Sequence, residues 1–306
     1  MGPIAAILVN AVLPVILIVL IGFWMGRRGL FTAPDAATLF RFIAQIAAPA
    51  IIVSILITTD VAQLEPGLAG LYFLSELVIY AVTYGVARRA FHLPINHALL
   101  CALGAAFANH VLFVYPITLL AFDPVQTIPV RSIITLDIII FVGTIIALDI
   151  NQPGTVNLRR AIINQWRNPL VLAVGIGLAV HALPAAPPNF FIQSADFIAK
   201  AAAPCGLFAT GILLAAQPAK GSLKLAAMIT AMRMLVHPVL GFAIIILWGG
   251  YDFDIARTTM MVTVAPVGVM ALTFASRYGV ETSAIAQAIL WSFILSVVMI
   301  PLIAAI

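Results

Sequence analysis

The sequence has very little charge for its length. Only 8% of its 306 residues are Asp, Glu, Lys or Arg, whereas 63% are hydrophobic. An ordinary soluble domain carries about one quarter charged residues. So few charges cannot cover the surface of a soluble protein of this size, and we expect most of the chain to lie in lipid. The net charge of +4 is dispersed over the ends of apolar runs, which argues against nucleic-acid binding.

Residue types that serve catalysis and metal binding are also scarce. The two cysteines, Cys101 and Cys205, form no CxxC motif and no disulfide framework. The five histidines are scattered, and neither HExxH nor GxSxG occurs. We therefore expect no enzyme, no metal site and no cofactor. No charged segment precedes the first apolar run, 4–25, so we expect that run to stay in the mature protein.

Long apolar runs dominate the rest of the sequence. A spanning helix needs about 20 apolar residues. This criterion predicts ten spans, at 4–25, 35–58, 66–87, 95–122, 128–149, 169–183, 190–216, 222–248, 254–277 and 282–305. The fourth is long and interrupted, and the sixth is short. The longest linker, 151–168, contains three arginines and is expected to lie along the lipid headgroups.

Basic residues favour one side of this arrangement. The loops after odd-numbered spans contain Arg27, Arg28, Arg88, Arg89, Arg159, Arg160, Arg167, Lys220, Lys224 and Arg277. The opposite side has only Arg131 and Arg257, near span ends. The positive-inside rule then predicts that the odd-to-even loops are cytoplasmic and that both termini face outward.

The two halves of the chain resemble each other. The segment FIAQIAAP (42–49) of span two matches FIAKAAAP (197–204) of span seven at six of eight positions. Pro116 in span four likewise corresponds to Pro266 in span nine. The predicted fold is an all-α membrane protein with two inverted five-helix repeats, 1–150 and 169–306, joined by the cytoplasmic linker 151–168. Inverted repeats with interrupted helices at matching positions are typical of secondary transporters.

The two matched prolines predict interrupted helices. Proline cannot donate to the carbonyl four residues earlier, so Val114 and Tyr115 are expected to unwind before Pro116. Proline suits the first turn of a helix, so new helices are expected to begin at Pro116 and Pro266. Each new N-terminus would direct backbone N–H groups and partial positive charge at the break. Two such ends form an anion site, with Asn109 and His110 as polar lining.

The interrupted spans also resemble a known family. NHVLFVYP (109–116) is similar to the Asn-x6-Pro crossover segment of auxin efflux carriers, and APVG (265–268), followed by FA (274–275) and YG (278–279), is similar to their second crossover. RNP (167–169) and AMR (231–233), with Pro238, match the sixth and eighth spans. The short linker resembles the bacterial branch, which includes malonate and malate permeases. Val267 and Lys200 depart from the plant pattern, which argues against auxin as substrate.

The resemblance implies a homodimer with elevator-like alternating access. Spans 1, 2, 6 and 7 would form a scaffold, and spans 3–5 and 8–10 a moving transport unit with the crossover at its centre. The candidate substrate-binding residues are Asn109, His110, Tyr115, Pro116, Ile117, Thr263, Pro266, Val267, Gly268, Gln45 and Lys200.

Charges inside spans are costly and are candidates for function. Asp196 and Lys200 either satisfy each other or leave Lys200 to attract a second carboxylate of the substrate. Glu76 and Arg233 are expected to form a salt bridge that braces the transport unit, with a role in coupling as the alternative.

Two further intramembrane groups could take part in coupling. His237 either senses pH or bonds a carbonyl. Asp137 has no evident partner and is the candidate for coupling to H+ or Na+.

These features favour a secondary transporter of small organic anions, such as malonate or malate, in the bacterial inner membrane. The alternative is a cation/proton antiporter, or an ion-coupled transporter of another solute, with the same inverted repeats. An antiporter would be expected to place paired aspartates by the crossover, whereas the sequence neighbours there are Asn109, His110 and Thr263.

Overall fold

The computed structural model describes residues 2–59, 65–152, 157–183, 187–216 and 221–306. These residues form helices joined by short turns, together with one isolated β-bridge. Residues 153–156 of the linker and Lys220, used above for the orientation, lie outside the described residues.

The helices begin where the sequence offers start signals, most often proline or a polar cap. In chain order they are α1 (Pro3–Arg27), α2 (Ala33–Thr58), α3 (Pro66–Arg89), α4 (Ile95–Ala106), α5 (His110–Ala121), α6 (Pro124–Ile150), α7 (Leu158–Asn164), α8 (Pro169–His181), α9 (Asn189–Ala216), α10 (Leu223–Trp248), α11 (Phe253–Thr263), α12 (Val269–Arg277) and α13 (Ser283–Ala305). Asp35 caps α2, for example, because it accepts hydrogen bonds from the backbone and side chain of Thr32.

Seven helices of the described residues, α1, α2, α3, α6, α9, α10 and α13, are long and apolar enough to cross a membrane. The protein is therefore an integral membrane protein. The three remaining predicted spans are short or divided. Span four is the pair α4 and α5, span six is α8, and span nine is the pair α11 and α12. The arrangement of all these helices as ten inverted spans stays a prediction.

Four prolines inside helices are preceded by a widened turn rather than by an unwound one. The π-helical turns before these prolines are Leu8–Val12, Ile43–Ala47, His110–Val114 and Met232–Val236, and they end two residues before Pro14, Pro49, Pro116 and Pro238, respectively. In each turn the residue before the proline donates its N–H to the carbonyl five residues earlier. The extra residue lets the helix continue past a proline that lacks its own donor.

The unwinding predicted at Val114 and Tyr115 is therefore wrong in position. Both residues are helical, and the break in span four lies earlier, at residues 107–109. The new helix begins at His110 instead of Pro116. In span nine the break covers residues 264–268 and does include Pro266, but the helix predicted to begin at Pro266 begins at Val269, because residues 266–268 pair with the first break and with α13 instead. The widened turn before Pro116 removes the physical reason for unwinding there.

The contacts divide the chain into two compact units. Unit 1 comprises Met1–Val15, Glu65–Val156 and Gln217–Ile306, and unit 2 comprises Ile16–Leu64 and Asn157–Ala216. In unit 1, α3 packs on α4, α4 on α12, and α10 on α13. In unit 2, α2 packs on both α8 and α9. Both breaks belong to unit 1.

Small residues allow helices of unit 2 to pack closely. A methyl group on Gly22 would collide with the carbonyl oxygen of Phe208, and one on Gly211 with that of Val19. Gly26, four residues after Gly22, faces the same helix, α9. This Gly-x-x-x-Gly spacing in α1 is typical of membrane helices whose backbones touch.

Candidate functional site

The two breaks of unit 1 lie against each other. The first, residues 107–109, separates α4 from α5, and the second, residues 264–268, separates α11 from α12. Ala108 and Val267 form an isolated antiparallel β-bridge between them. Each unwound segment therefore supplies backbone partners to the other, which is how irregular backbone is tolerated inside a membrane protein.

The pairing requires unusually close backbones. The N–H of Asn109 donates to the carbonyl of Pro266 at 2.9 Å, and the N–H of Gly268 donates to the carbonyl of Gly104 at 3.3 Å. A methyl group on Gly268 would collide with the carbonyl oxygen of Phe107. Glycine at this position therefore permits the contact between the two breaks.

Two serines on one face of α13 hold the second break. The Val267 N–H donates to Ser292 Oγ at 2.9 Å, and Ser296 Oγ donates to the carbonyl of Val264 at 2.8 Å. Both serines are fully buried. They satisfy backbone groups that the interrupted helix leaves without intrahelical partners.

Arg233 of α10 joins both breaks. Its Nη1 donates to the carbonyl of Ala106 at 2.9 Å, its Nε donates to the carbonyl of Ala265 at 2.9 Å, and its Nη2 donates to the carbonyl of Val262. Ala106 is the last residue of α4, and Val262 lies in the last turn of α11. These C-terminal ends carry unsatisfied carbonyls and partial negative charge. The planar guanidinium can serve three of them at once.

His237 completes this contact and bonds side chains rather than a carbonyl. Its Nδ1 lies 2.7 Å from Arg233 Nη1, which can only donate. Nδ1 is therefore an acceptor, and the proton of the neutral ring is on Nε2. Nε2 lies 3.2 Å from Ser75 Oγ, which itself donates to the carbonyl of Tyr72 at 2.6 Å.

Glu76, Asp137 and His110 form a buried chain of acidic and imidazole groups. The Glu76 carboxyl lies within hydrogen-bonding reach of the Asp137 carboxyl. Asp137 Oδ2 lies 3.2 Å from His110 Nε2. None of the three side chains is more than 1% exposed. Asp137, which had no evident partner in the sequence, therefore has two.

The salt bridge predicted between Glu76 and Arg233 does not form. Among the ion pairs of the described residues, Glu76 and Arg233 are not joined. Arg233 is close enough to Glu76 for electrostatic attraction, but its N–H groups donate to backbone carbonyls instead of to the Glu76 carboxylate. The orphan carbonyls of two interrupted helices compete for the guanidinium, and this competition is invisible when Arg233 is considered as a charge alone.

Asn109 lies where the two breaks meet, a place called the junction below, and it has one unused side-chain group. Its side-chain Nδ2 is buried and lacks a hydrogen-bond partner among the described residues. Asn109 directly precedes the first turn of α5, whose N–H groups have no intrahelical acceptors. Tyr115 and Pro116, farther along α5, are half-buried. The arrangement can bind an anionic oxygen by hydrogen bonds from neutral donors.

The other predicted substrate residues of unit 1 are buried around the breaks. Ile117, Thr263, Val267 and Gly268 are all buried. Thr263 Oγ1 already donates to the carbonyl of Met260 at 2.7 Å. These residues shape the junction, whereas Asn109 offers it a free donor.

The predicted residues of unit 2 have a different environment. Gln45 is exposed. Lys200 Nζ and Asp196 Oδ2 form an ion pair of 2.6 Å, with side chains 73% and 47% exposed. A substrate role for Lys200 stays a prediction.

Comparison with known proteins agrees with this structure. The profile of a family described as "Membrane transport protein" matches residues 7–304. A protein of Rhizobium meliloti (strain 1021) named "Putative malonate transporter" is 32% identical over 130 residues. That stretch is 42% of this chain and 41% of the relative, so the chain matches about two-fifths of its length.

The family match covers nearly the whole chain and identifies a transporter rather than an enzyme. It also confirms the resemblance to auxin efflux carriers seen in the interrupted spans. The chain belongs to the membrane transport protein family that includes the auxin efflux carriers.

Proposed function

We propose that this protein is a secondary transporter of small organic anions, with dicarboxylates such as malonate or malate as its substrates. The family supports transport in general, and the partial match to a relative named for malonate supports the substrate class. The proposed location is the bacterial inner membrane, with both termini outside, as the distribution of basic residues indicates.

The observation that carries this proposal is the unpaired Asn109 amide at the start of α5. A buried donor without a partner costs about 1–3 kcal/mol, so a site that keeps one gains when an acceptor arrives. A carboxylate accepts such bonds without a cation beside it, as anions do at helix N-termini. The half-buried Tyr115 and Pro116 give the substrate a boundary toward the surface of unit 1.

The proposed mechanism is elevator-like alternating access in a homodimer. The interrupted helices are proposed to act as a crossover, and unit 1, which contains them, is proposed to move. Unit 2 is proposed to be the scaffold. This assignment follows from the family resemblance and from the tight connection of both breaks to Arg233, which favours their movement as one body.

Replacing Asn109 tests the site. Asn109→Ala should weaken malonate binding by roughly ten- to a hundredfold, because one hydrogen bond to a charged group contributes about 1.5–3 kcal/mol. Binding is measured by calorimetry on purified protein, and uptake of labelled malonate is measured in proteoliposomes. Asn164→Ala, at an exposed position of α7, is the matched control. Affinity within twofold of the parent would refute the assignment of Asn109.

A second function, cation/proton antiport, is favoured by one observation. The sequence places no paired aspartates by the crossover, yet the folded chain brings the carboxyl groups of Glu76 and Asp137 together beside the first break. Uptake of labelled sodium in the absence of any organic anion would identify an antiporter. Malonate uptake that needs no sodium would identify the anion carrier.

A further inference from the structure

Five acidic or basic side chains cluster in the interior of unit 1 beside the two breaks. They are Glu76 on α3, His110 at the start of α5, Asp137 in α6, and Arg233 and His237 on α10, and all are at most 1% exposed. Tyr72 and Ser75 of α3 also face this cluster. Arg233 donates to three backbone carbonyls and His237 accepts from Arg233, so these two side chains have a structural role. The carboxyl groups of Glu76 and Asp137 have no role in the proposed anion binding at Asn109.

Two contacts in this cluster join groups that would both be acceptors. When the carboxyl groups of Glu76 and Asp137 are ionised, no N–H or O–H of the described residues donates to any of their four oxygens. Two carboxylates in contact repel each other, but a shared proton turns the contact into a hydrogen bond.

The second contact gives the same result. His110 Nδ1 lies 3.1 Å from the carbonyl of Ala108, so it carries a proton and donates. The other nitrogen, Nε2, is then an acceptor in the neutral ring, and it faces Asp137 Oδ2 at 3.2 Å. A proton on either atom makes this contact attractive as well. Asp137 lies between the two partners and can share a proton with either one.

The charge of the cluster indicates how many protons it holds. Arg233 contributes one positive charge, and the two imidazoles are neutral when each carries a single ring proton. Two ionised carboxyl groups would leave a net charge of −1 in a fully buried site, which is costly. One added proton makes the cluster neutral.

We propose that Glu76, Asp137 and His110 form a proton-binding site that holds one proton, and that its loading is coupled to transport. The proton comes from water, is held between the carboxyl oxygens or between Asp137 and His110 Nε2, and returns to water. The proton site rests on the 3.2 Å contact of Asp137 with His110 and on the burial and net charge of the cluster, whereas the coupling rests on the proposed anion transport.

The position of the site explains how loading could be communicated. His110 is the first residue of α5, directly after Asn109. Arg233 holds the carbonyl ends of both interrupted helices. Release of the proton places a new negative charge close to Arg233 and to Asn109. This charge would compete with the carbonyls for Arg233 and would oppose an anion at Asn109, so proton and anion should bind together.

The proton site is tested without any substrate. Infrared difference spectroscopy of the intact protein in lipid should show the C=O band of one buried carboxylic acid at neutral pH. Asp137→Asn and Glu76→Gln should each remove or shift the band. Asp254→Asn, an exposed carboxylate of the same unit, should leave it unchanged. A proton held on His110 Nε2 instead would give imidazolium bands that are lost in His110→Gln. Absence of both the carboxylic acid band and the imidazolium bands in the parent at neutral pH would overturn the proposal, and that measurement needs no variant to fold.

A stability measurement gives an independent readout. The folded protein holds a proton that an unfolded carboxyl, with its ordinary pKa of about 4, releases. The unfolding midpoint should therefore fall as the pH rises above about 4, because the folded state then binds more protons than the unfolded one. Asp137→Asn should reduce this slope, while an unchanged slope in that variant would count against the site.

Transport assays distinguish the proposed proton coupling from the proposed anion transport. In proteoliposomes with an acidic exterior, malonate uptake should acidify the lumen, and a dye should report it. In Asp137→Asn, malonate uptake with the pH gradient should be no faster than exchange by the same variant at equal pH, whatever the absolute rate of that exchange. Malonate exchange by the parent with no response to a gradient would overturn the coupling. Absence of malonate exchange, with the carboxylic acid band present, would overturn the anion function and leave the proton site supported.

Discussion

The charged groups of unit 1 and unit 2 look alike in the sequence but differ in the folded protein. In unit 1, Arg233, Asp137 and Glu76 are fully buried and bound into a network around two helix breaks. In unit 2, Asp196 and Lys200 form a single ion pair, one turn apart, with both side chains largely exposed. Each group lies well inside an apolar run, so hydropathy alone ranks them equally.

The difference shows that the partners of a charge decide its importance. A buried charge that loses its partners is strongly destabilising, whereas an exposed pair contributes about 0–1 kcal/mol. Arg233 has several partners supplied by distant parts of the chain, and Lys200 has one supplied by its own helix. Substitutions in the two units should therefore differ in effect.

The largest effect is expected for Arg233→Met. Three carbonyls lose their donor, and the acidic pair loses the cation that balances it, so destabilisation of about 3–5 kcal/mol or failure to fold is expected. Arg233→Lys should recover part of the loss, because it keeps the charge but not the planar fork. Thermal unfolding in detergent is the measurement, with Arg159→Met, at an exposed position of unit 2, as the control. Equal stability of Arg233→Met and Arg159→Met would show that burial does not separate the two kinds of charge.

A smaller effect is expected for Gly268→Ala. The added methyl group meets the Phe107 carbonyl and should push the two breaks apart, at a cost of about 1–3 kcal/mol. Malonate binding should fall as well, because Asn109 depends on the same contact. Gly143→Ala is the control, since a methyl group there meets no atom within 4 Å. Parent-like stability and binding in Gly268→Ala would mean that the junction is looser than its hydrogen bonds imply.

The smallest effect is expected for Lys200→Gln, which copies Gln45 at the matching position of the first half. Stability should change by less than about 1 kcal/mol, because both partners are exposed. The ratio of dicarboxylate to monocarboxylate uptake tests the substrate role separately. A reduced ratio would support contact with a second carboxylate, and an unchanged ratio would remove Lys200 from the site. A stability loss as large as that of Arg233→Met would erase the contrast between the units.

Much of the helical layout could be predicted from hydropathy and punctuation. The long helices follow the apolar runs, and their starts follow prolines such as Pro66 and Pro124. The interruptions of the predicted fourth and ninth spans were also visible. Their positions were less predictable, because Pro116 is accommodated by a widened turn. A proline shows that a hydrogen bond is missing but not which neighbouring turn adjusts.

The site was only partly predictable for a related reason. Asn109, His110 and Asp137 were recognised as costly polar groups, but their partners come from other helices and leave no local pattern. The roles of Ser292 and Ser296 were missed. Their spacing of four on an apolar helix is a usable signal, since it places two hydroxyls on one face. The attraction of Arg233 to carbonyls could not be found without knowing where both helices end.

The widened turns also determine which way later side chains point. A π-helical turn contains about one residue more than an α-helical turn, so each residue beyond it is rotated by about 100° around the helix axis. A helical wheel drawn straight through Pro14, Pro49, Pro116 or Pro238 therefore assigns the following residues to the wrong side. Cysteine scans of these helices should be interpreted with a phase reset at each turn. Without it, the stripe assigned to lipid would be displaced by about 100° around the helix beyond each turn.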